Sequence, residues 1–378
     1  MNTSYLNKLQ TALKGCKCSV FVYAYTNLNV GDDLFLHKLF PAYPDVHFVL
    51  LAKKPYREMF SGYRNVTVYE EEGLLLSACR KLRIDDKLRW RIPHECDYAL
   101  YIAGSIFKEY SEWSDQYIWY RELFDPDRMY FLGCSWGPCK TREFEENMTS
   151  VLSGMKDVCF RDRYSYHTFA HLPNVRYAPD ILFGLDWSKY AGVEEKKQVF
   201  LSVVNCRAGN VELPEYADEY NRFIARLAER FAELGYRSVL CSFCENESDL
   251  PAAEEIRSQM PPHVRENTPI VNYSGTNLQQ ILQLLAESEY VVATRFHAMI
   301  LGMVAGKKVL PMIYHLKLRN VLEDLSFQGA CCDIRQLPPD PDGLIGQITR
   351  GISDSERKRL ATLAAGHFDG IDQVLKNL

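Results

Sequence analysis

No run of about 18 uninterrupted apolar residues occurs in this 378-residue chain, so nothing in it reads as a membrane-spanning helix. The most apolar stretch, residues 290–305, is broken by Arg295 and His297. Charge of one sign is not in excess either: 44 Lys and Arg stand against 49 Asp and Glu. The resulting formal charge of −5 supplies no global basic field to collect nucleic acid. The first twenty residues lack the charged-then-apolar order of an export signal, and the expected location is cytoplasmic. A Walker loop and an H-E-x-x-H helix are missing, and the paired carboxylates of a retaining glycosidase are not evident.

Cysteine is plentiful, at twelve residues, but almost without pattern. Only Cys241-Ser-Phe-Cys244 has metal or redox spacing, and no second such pair accompanies it. It follows the apolar run 238–240, which makes it two small buried thiols at a strand end. No metal site and no disulfide framework are expected.

What the chain does have is core material and rhythm. Hydrophobic residues make up 47% and charged residues 25%, enough for two sizeable domains. Short apolar runs at 19–24, 46–51, 65–69, 98–103, 128–133 and 158–160 alternate with helical patterns or connections. In the second half the runs are 200–205, 237–243, 270–272, 290–293 and 308–312. Between them stand amphipathic helices such as 215–234, with Phe223, Leu227 and Phe231 on one face. Continuous apolar strands alternating with helices imply parallel sheets covered on both faces. The fold class is therefore α/β: two doubly wound Rossmann-like domains facing a central cleft, followed by a C-terminal helix. The expected boundaries are 1–190, 191–350 and 351–378, with Ser353 or Ser355 capping the last helix.

In such folds ligands sit at the carboxyl ends of the strands. After the first strand comes Asn29-Val-Gly31-Asp32-Asp33, which lacks the G-x-G-x-x-G of a dinucleotide site. Asp32 and Asp33 at a helix start read equally as dipole-complementing residues or as substrate contacts. Gly104-Ser105 and Gly133-x-x-x-Gly137 place small residues at two further strand ends. Arg161-Asp162 and Arg207 add charge at others. The sharpest feature is Thr294-Arg295-Phe296-His297, where a buried strand runs into Arg-x-His and then a helix. Arg295, His297 and the helix N–H groups together suit a small anion, with Thr294 as the expected cap. Lys317 and His315 follow the next strand. Binding of a small, highly charged anion without a metal fits this set.

The ordered set Asn29-x-Gly31-Asp32, Gly104-Ser105, Gly133-x-x-x-Gly137-Pro138, Arg161-Asp162-x-x-Ser165, Asp180, Arg295-x-His297 and Tyr314-x-x-Lys317 resembles the polysaccharide pyruvyl transferase family. The resemblance implies a GT-B-like fold that moves a pyruvyl group from phosphoenolpyruvate onto two sugar hydroxyls, giving a cyclic ketal and phosphate. It implies phosphoenolpyruvate as donor, held by Arg161, Arg207, Arg295, His297 and Lys317, with no further cofactor. His297 and Arg295 are then the catalytic pair, with Asp32 on the acceptor side beside Asn29, Ser105 and Trp136. Tyr25, Trp113 and Tyr117 are further aromatics for stacking on sugar. The first domain is the acceptor side and the second the phosphoenolpyruvate side. The acceptor is expected to be a sugar or lipid-linked oligosaccharide at the inner face of a membrane. Residues 80–91, with six basic residues among apolar ones, are a candidate peripheral contact with anionic lipid. Two rival readings are a nucleotide-sugar glycosyltransferase of the same architecture and a non-catalytic carbohydrate-binding protein.

Overall fold

The computed structural model describes residues 13, 15–70, 92–208, 211 and 213–376. Cys79 and the basic stretch 80–91 lie outside the described residues. Two compact units divide the chain. Met1–Thr26, Asp32–Ile181 and Ala365–Leu378 form the first; Asn27–Gly31 and Leu182–Ala364 form the second.

The first unit is a seven-stranded sheet in the order β3-β2-β1-β4-β5-β6-β7, with every pairing parallel. Its strands are β1 (Cys18–Ala24), β2 (Val46–Ala52), β3 (Val66–Glu70), β4 (Tyr98–Ile102), β5 (Met129–Cys134), β6 (Asp157–Phe160) and β7 (Val175–Tyr177). The helices are α1 (Val30–Ala42, whose first two residues belong to the second unit), α2 (Lys54–Met59), α3 (Trp113–Leu123), α4 (Arg142–Ser153) and α5 (Arg163–Phe169). Six of these strands follow the apolar runs; β7, three residues long, was too short to stand out. Residues of β5 are buried throughout, as a central parallel strand requires. The β5–β6 register shifts at Gly133, whose φ of +74° a side chain would resist.

The second unit is a six-stranded parallel sheet in the order β10-β9-β8-β11-β12-β13. Its strands are β8 (Lys196–Ser202), β9 (Arg237–Ser242), β10 (Ile270–Asn272), β11 (Ser288–Ala293), β12 (Lys308–Ile313) and β13 (Cys332–Asp333). Helices α6 (Ala217–Glu233), α7 (Asp249–Ser258), α8 (Pro262–Glu266), α9 (Leu278–Glu287), α10 (Phe296–Val304), α11 (Leu316–Asp324), α12 (Asp342–Ile345) and α13 (Asp354–Ala364) belong with them. Phe223, Leu227 and Phe231 are all fully buried on α6, as their spacing predicts. Strand β8 begins earlier than residue 200, so that Val203-Val204-Asn205 follow the strand instead of ending it.

The end of the chain is two helices, not one. Ser353 caps α13 by accepting from the Glu356 N–H at 3.2 Å. A short 3₁₀ turn then leads to α14 (Asp369–Leu375), and from Ala365 onward the chain is part of the first unit. Arg176, paired with Asp157, donates to the Gly366 and His367 carbonyls, and Tyr43 donates to Asp372 at 2.6 Å. Among the described residues no helix is long and apolar enough to cross a membrane.

Candidate functional site

Each sheet reverses its strand order once: between β1 and β4 in the first unit, and between β8 and β11 in the second. The carboxyl ends flanking such a reversal are where open α/β sheets take ligands, because the two connections diverge there and leave a crevice. Arg295 and His297 lie at this point of the second unit. Strand β11 ends at Ala293, and the Thr294 and Arg295 N–H groups bond to Ser202 at the end of β8. Thr294 is not the helix cap; its hydroxyl is paired with Tyr220 at 2.8 Å. Arg295 holds the N-cap position in extended geometry, and α10 starts at Phe296.

The Arg295 guanidinium turns away from the role of an open clamp. Its Nε donates to Asp249 Oδ2 at 2.8 Å, Nη2 to Asp249 Oδ1, and Nη1 to Glu247. All three side chains are buried. Burial pushes the Asp249 carboxyl up to about 6, with the adjacent guanidinium pulling the other way. Asp249 also accepts the Phe243 and Cys244 N–H groups, so Arg295 braces the β11–α10 junction against the β9–α7 connection.

His297, the second residue of α10, is buried with its ring against Gly31. Lys317 opens the first turn of α11, with its Nζ 5.9 Å from the Phe296 ring and 5.8 Å from that of Tyr314. His315 caps that helix, its Nδ1 accepting from the Lys317 N–H at 3.2 Å. His297, at the start of α10, and Lys317 thus follow the adjacent strands β11 and β12. Arg207 is half-exposed, its guanidinium engaged in a surface network with Asp218 and Glu255.

In the first unit Arg161 is enclosed, with its side chain 1% exposed. Its Nε donates to Ser135 at 2.8 Å and its Nη1 to Asp180 at 3.1 Å. The bare Cα of Gly104 lies over the guanidinium, where a Cβ would come within 2.6–2.9 Å of three of its atoms. The expected rim cation is therefore a buried tie between strand ends. Asp162 caps α5 through the Ser165 N–H at 2.8 Å. Trp136 is not placed for sugar stacking: it is buried, parallel to Phe144 at 5.1 Å and edge-on to Phe169. Asn29 uses its side chain locally, accepting the Gly31 N–H at 3.0 Å. Asp32 and Asp33 are buried in the first turn of α1, and Asp33 accepts from Tyr56 at 2.8 Å. Ser105, just past β4 at the strand-order reversal, has a buried hydroxyl with no hydrogen-bond partner among the described residues.

Sequence reasoning missed Glu247 and Asp249; an acidic pair shortly after Cys244 was the only trace of them. It also passed over Gly133-Cys134-Ser135-Trp136-Gly137, which has the G-x-S-x-G spacing of a nucleophile elbow. The structure removes that reading, since Ser135 is tied to Arg161 and no helix starts at it. Cys241 and Cys244 are buried free thiols, as their sequence context suggested. Among the described residues no three His, Cys, Asp or Glu side chains converge as metal ligands.

A model of the family described as polysaccharide pyruvyl transferase matches residues 29–315. A search of curated protein sequences finds no match. Among solved structures, the chain is similar to Anabaena Alr3699/HepE in complex with UDP and glucose, with a TM-score of 0.54 and 14% identity, covering 95% of this chain and 99% of that one. Sucrose-phosphate synthase from Thermosynechococcus elongatus gives 0.51 and 11%, covering 95% and 98%. UDP-GlcNAc 2-epimerase from Neisseria meningitidis bound to UDP-GlcNAc gives 0.51 and 9%, covering 95% and 99%. At these identities the likeness is one of fold, and it agrees with the two Rossmann-like, GT-B-like units.

Proposed function

The chain belongs to the polysaccharide pyruvyl transferase family, and from that premise we propose that it moves a pyruvyl group from phosphoenolpyruvate onto two hydroxyls of a sugar, releasing phosphate. The observation that carries this reading is that His297 and the N-terminus of α10 stand at the strand-order reversal of the second sheet, with Lys317 after the next strand and its Nζ 5.9 Å from the Phe296 ring. Phosphoenolpyruvate bears a phosphate and a carboxylate close together, and a helix start with a lysine suits such an anion. Ketal formation needs a proton on the methylene carbon, so that an acceptor hydroxyl attacks an oxocarbenium-like centre. In this proposal His297 gives that proton, a contribution of about 10²–10⁴-fold. Arg295, engaged by Glu247 and Asp249, serves by holding the junction rather than by touching the donor. On the acceptor side, the orphaned Ser105 hydroxyl is a group that a sugar hydroxyl would satisfy.

A thermal shift without added metal tests the donor. Phosphoenolpyruvate at 100 times its dissociation constant adds about 2.7 kcal/mol of stability, a shift of a few degrees. The expected result is a shift with phosphoenolpyruvate that Lys317→Ala diminishes, and phosphate release that His297→Ala abolishes. A shift only with nucleotide sugars makes the protein a glycosyltransferase and sinks this reading. We further propose a lipid-linked acceptor reached through residues 80–91. Flotation with anionic liposomes at low salt tests it, and protein left at the bottom of the gradient removes that part.

A further inference from the structure

What lies against the His297 ring is a residue with no side chain. A Cβ built on Gly31 would overlap the imidazole at Nδ1 and Cγ and would stand 2.6 Å from the His297 Cβ. Hydrogen fits there and methyl does not. Nor is Gly31 on a loop that can easily give way. Its N–H is held by Asn29 Oδ1 at 3.0 Å, and the Val30 N–H donates to the Phe243 carbonyl at 3.2 Å. Asn29 forms an antiparallel bridge with Cys244, whose thiol reaches the Asn27 carbonyl at 3.6 Å. Leu28, at φ +53°, makes the tight turn that delivers this segment.

We propose that Gly31 is the positioning residue for His297: its bare Cα seats the imidazole, and any side chain at 31 would turn the ring that exchanges a proton with substrate. The proton-transfer half of this inference rests on the pyruvyl-transfer reading. In that step a ring N–H bond of His297 breaks and its electron pair stays on nitrogen. The enol C=C pair forms the new C–H bond at the methylene carbon.

A double-mutant cycle in thermal stability tests the contact without reference to any substrate. Gly31→Ala should lower Tm by about 3–8 °C in the parent chain. In the His297→Ala background the ring is gone and only the 2.6 Å contact with the Cβ remains, so the loss, measured against Gly62→Ala, should be less than half that in the parent. Gly62 is the control because a Cβ there meets nothing. If Gly31→Ala fails to fold alone but folds with His297→Ala, the contact is equally supported; equal losses in both backgrounds overturn it. Nitrogen-15 histidine NMR, with the His297 signals assigned by their loss in His297→Ala, reads the ring directly. Gly31→Ala should shift both His297 ring-nitrogen signals, because the added methyl forces the ring to turn. Unchanged His297 signals in Gly31→Ala overturn the proposal. In turnover, Gly31→Ala should lower kcat at least tenfold with little change in the KM for phosphoenolpyruvate. A parent with no such turnover refutes the functional reading, while the stability cycle and the NMR still decide on Gly31.

Discussion

Asp249 holds Arg295 with both carboxylate oxygens, Nε to Oδ2 at 2.8 Å and Nη2 to Oδ1, while also accepting two backbone N–H groups. Its side chain is fully buried, and that of Arg295 is 8% exposed. Replacing Asp249 takes charge-assisted hydrogen bonds from a buried guanidinium that still keeps Glu247, a loss of about 1.5–3 kcal/mol. Asp249→Asn should therefore lose that much stability at pH 7.5 in urea unfolding. Glu146→Gln, which breaks an exposed pair with Arg142, should lose less than about 1 kcal/mol. A loss for Asp249→Asn no larger than that of the surface control would show that the pair does not brace the junction.

This pair also marks where the sequence stops being legible. Strands could be read because buried parallel strands are continuous apolar runs, and the position of Arg295-x-His297 at a strand end followed from them. The partners of Arg295 could not be read: Glu247 and Asp249 are 48 and 46 residues away, and acidic residues after a strand are ordinary. Trp136 reads as a sugar platform or a core residue with equal ease, and only the packing on Phe144 and Phe169 decides. The strands β7 and β13, of three and two residues, carry too few apolar positions to form a pattern. Gly31 was visible as part of a motif, but what it makes room for belongs to a residue far along the chain.

Gly104 beneath the Arg161 guanidinium makes a second steric prediction. A methyl group at 104 would meet Nη2, Nη1 and Cζ at 2.6–2.9 Å, and the guanidinium is fixed by Ser135 and Asp180. Gly104→Ala should cost about 1–3 kcal/mol as an overpacked site. Asp180→Asn should cost about 3–5 kcal/mol, since it takes away a buried carboxylate that Arg161 bonds. Denaturant midpoints of the two variants check both values. Wild-type midpoints would mean that Arg161 can swing out of this tie.

Acid should loosen the attachment of the C-terminal segment. His367 is fully buried, bonded to the Pro179 carbonyl at 3.0 Å, and burial lowers its pKa to about 3, with Arg176 adding to the effect. The imidazole is thus neutral in the fold but titrates near 6.5 when unfolded. Between those values the unfolded chain binds more protons, so its contribution is complete above pH 6.5 and is lost as pH falls toward 3. From pH 7.5 to 5 this one group should remove about 2 kcal/mol. His367→Gln keeps a donor for Pro179 and cannot charge, so it should flatten that slope. Urea unfolding at the two pH values compares them, and an identical pH dependence would show that His367 is not the sensor.

The Cys241–Cys244 pair admits a final test, because its spacing alone would suit a metal or a redox pair. Both thiols are buried, and burial raises both, Cys244 to about 12. A thiol held that far from ionising is a poor nucleophile and a poor metal ligand. Iodoacetamide at pH 8 should therefore leave both unmodified in the native protein while reacting at Cys331, which is exposed. Unfolding in urea should make both reactive. A chelator should leave Tm unchanged, since these sulfurs act as small apolar groups where β9 runs into the Arg295 brace. A Tm that falls with chelator and recovers with zinc would mean that the pair binds metal after all, and that the brace is organised around an ion rather than around Asp249.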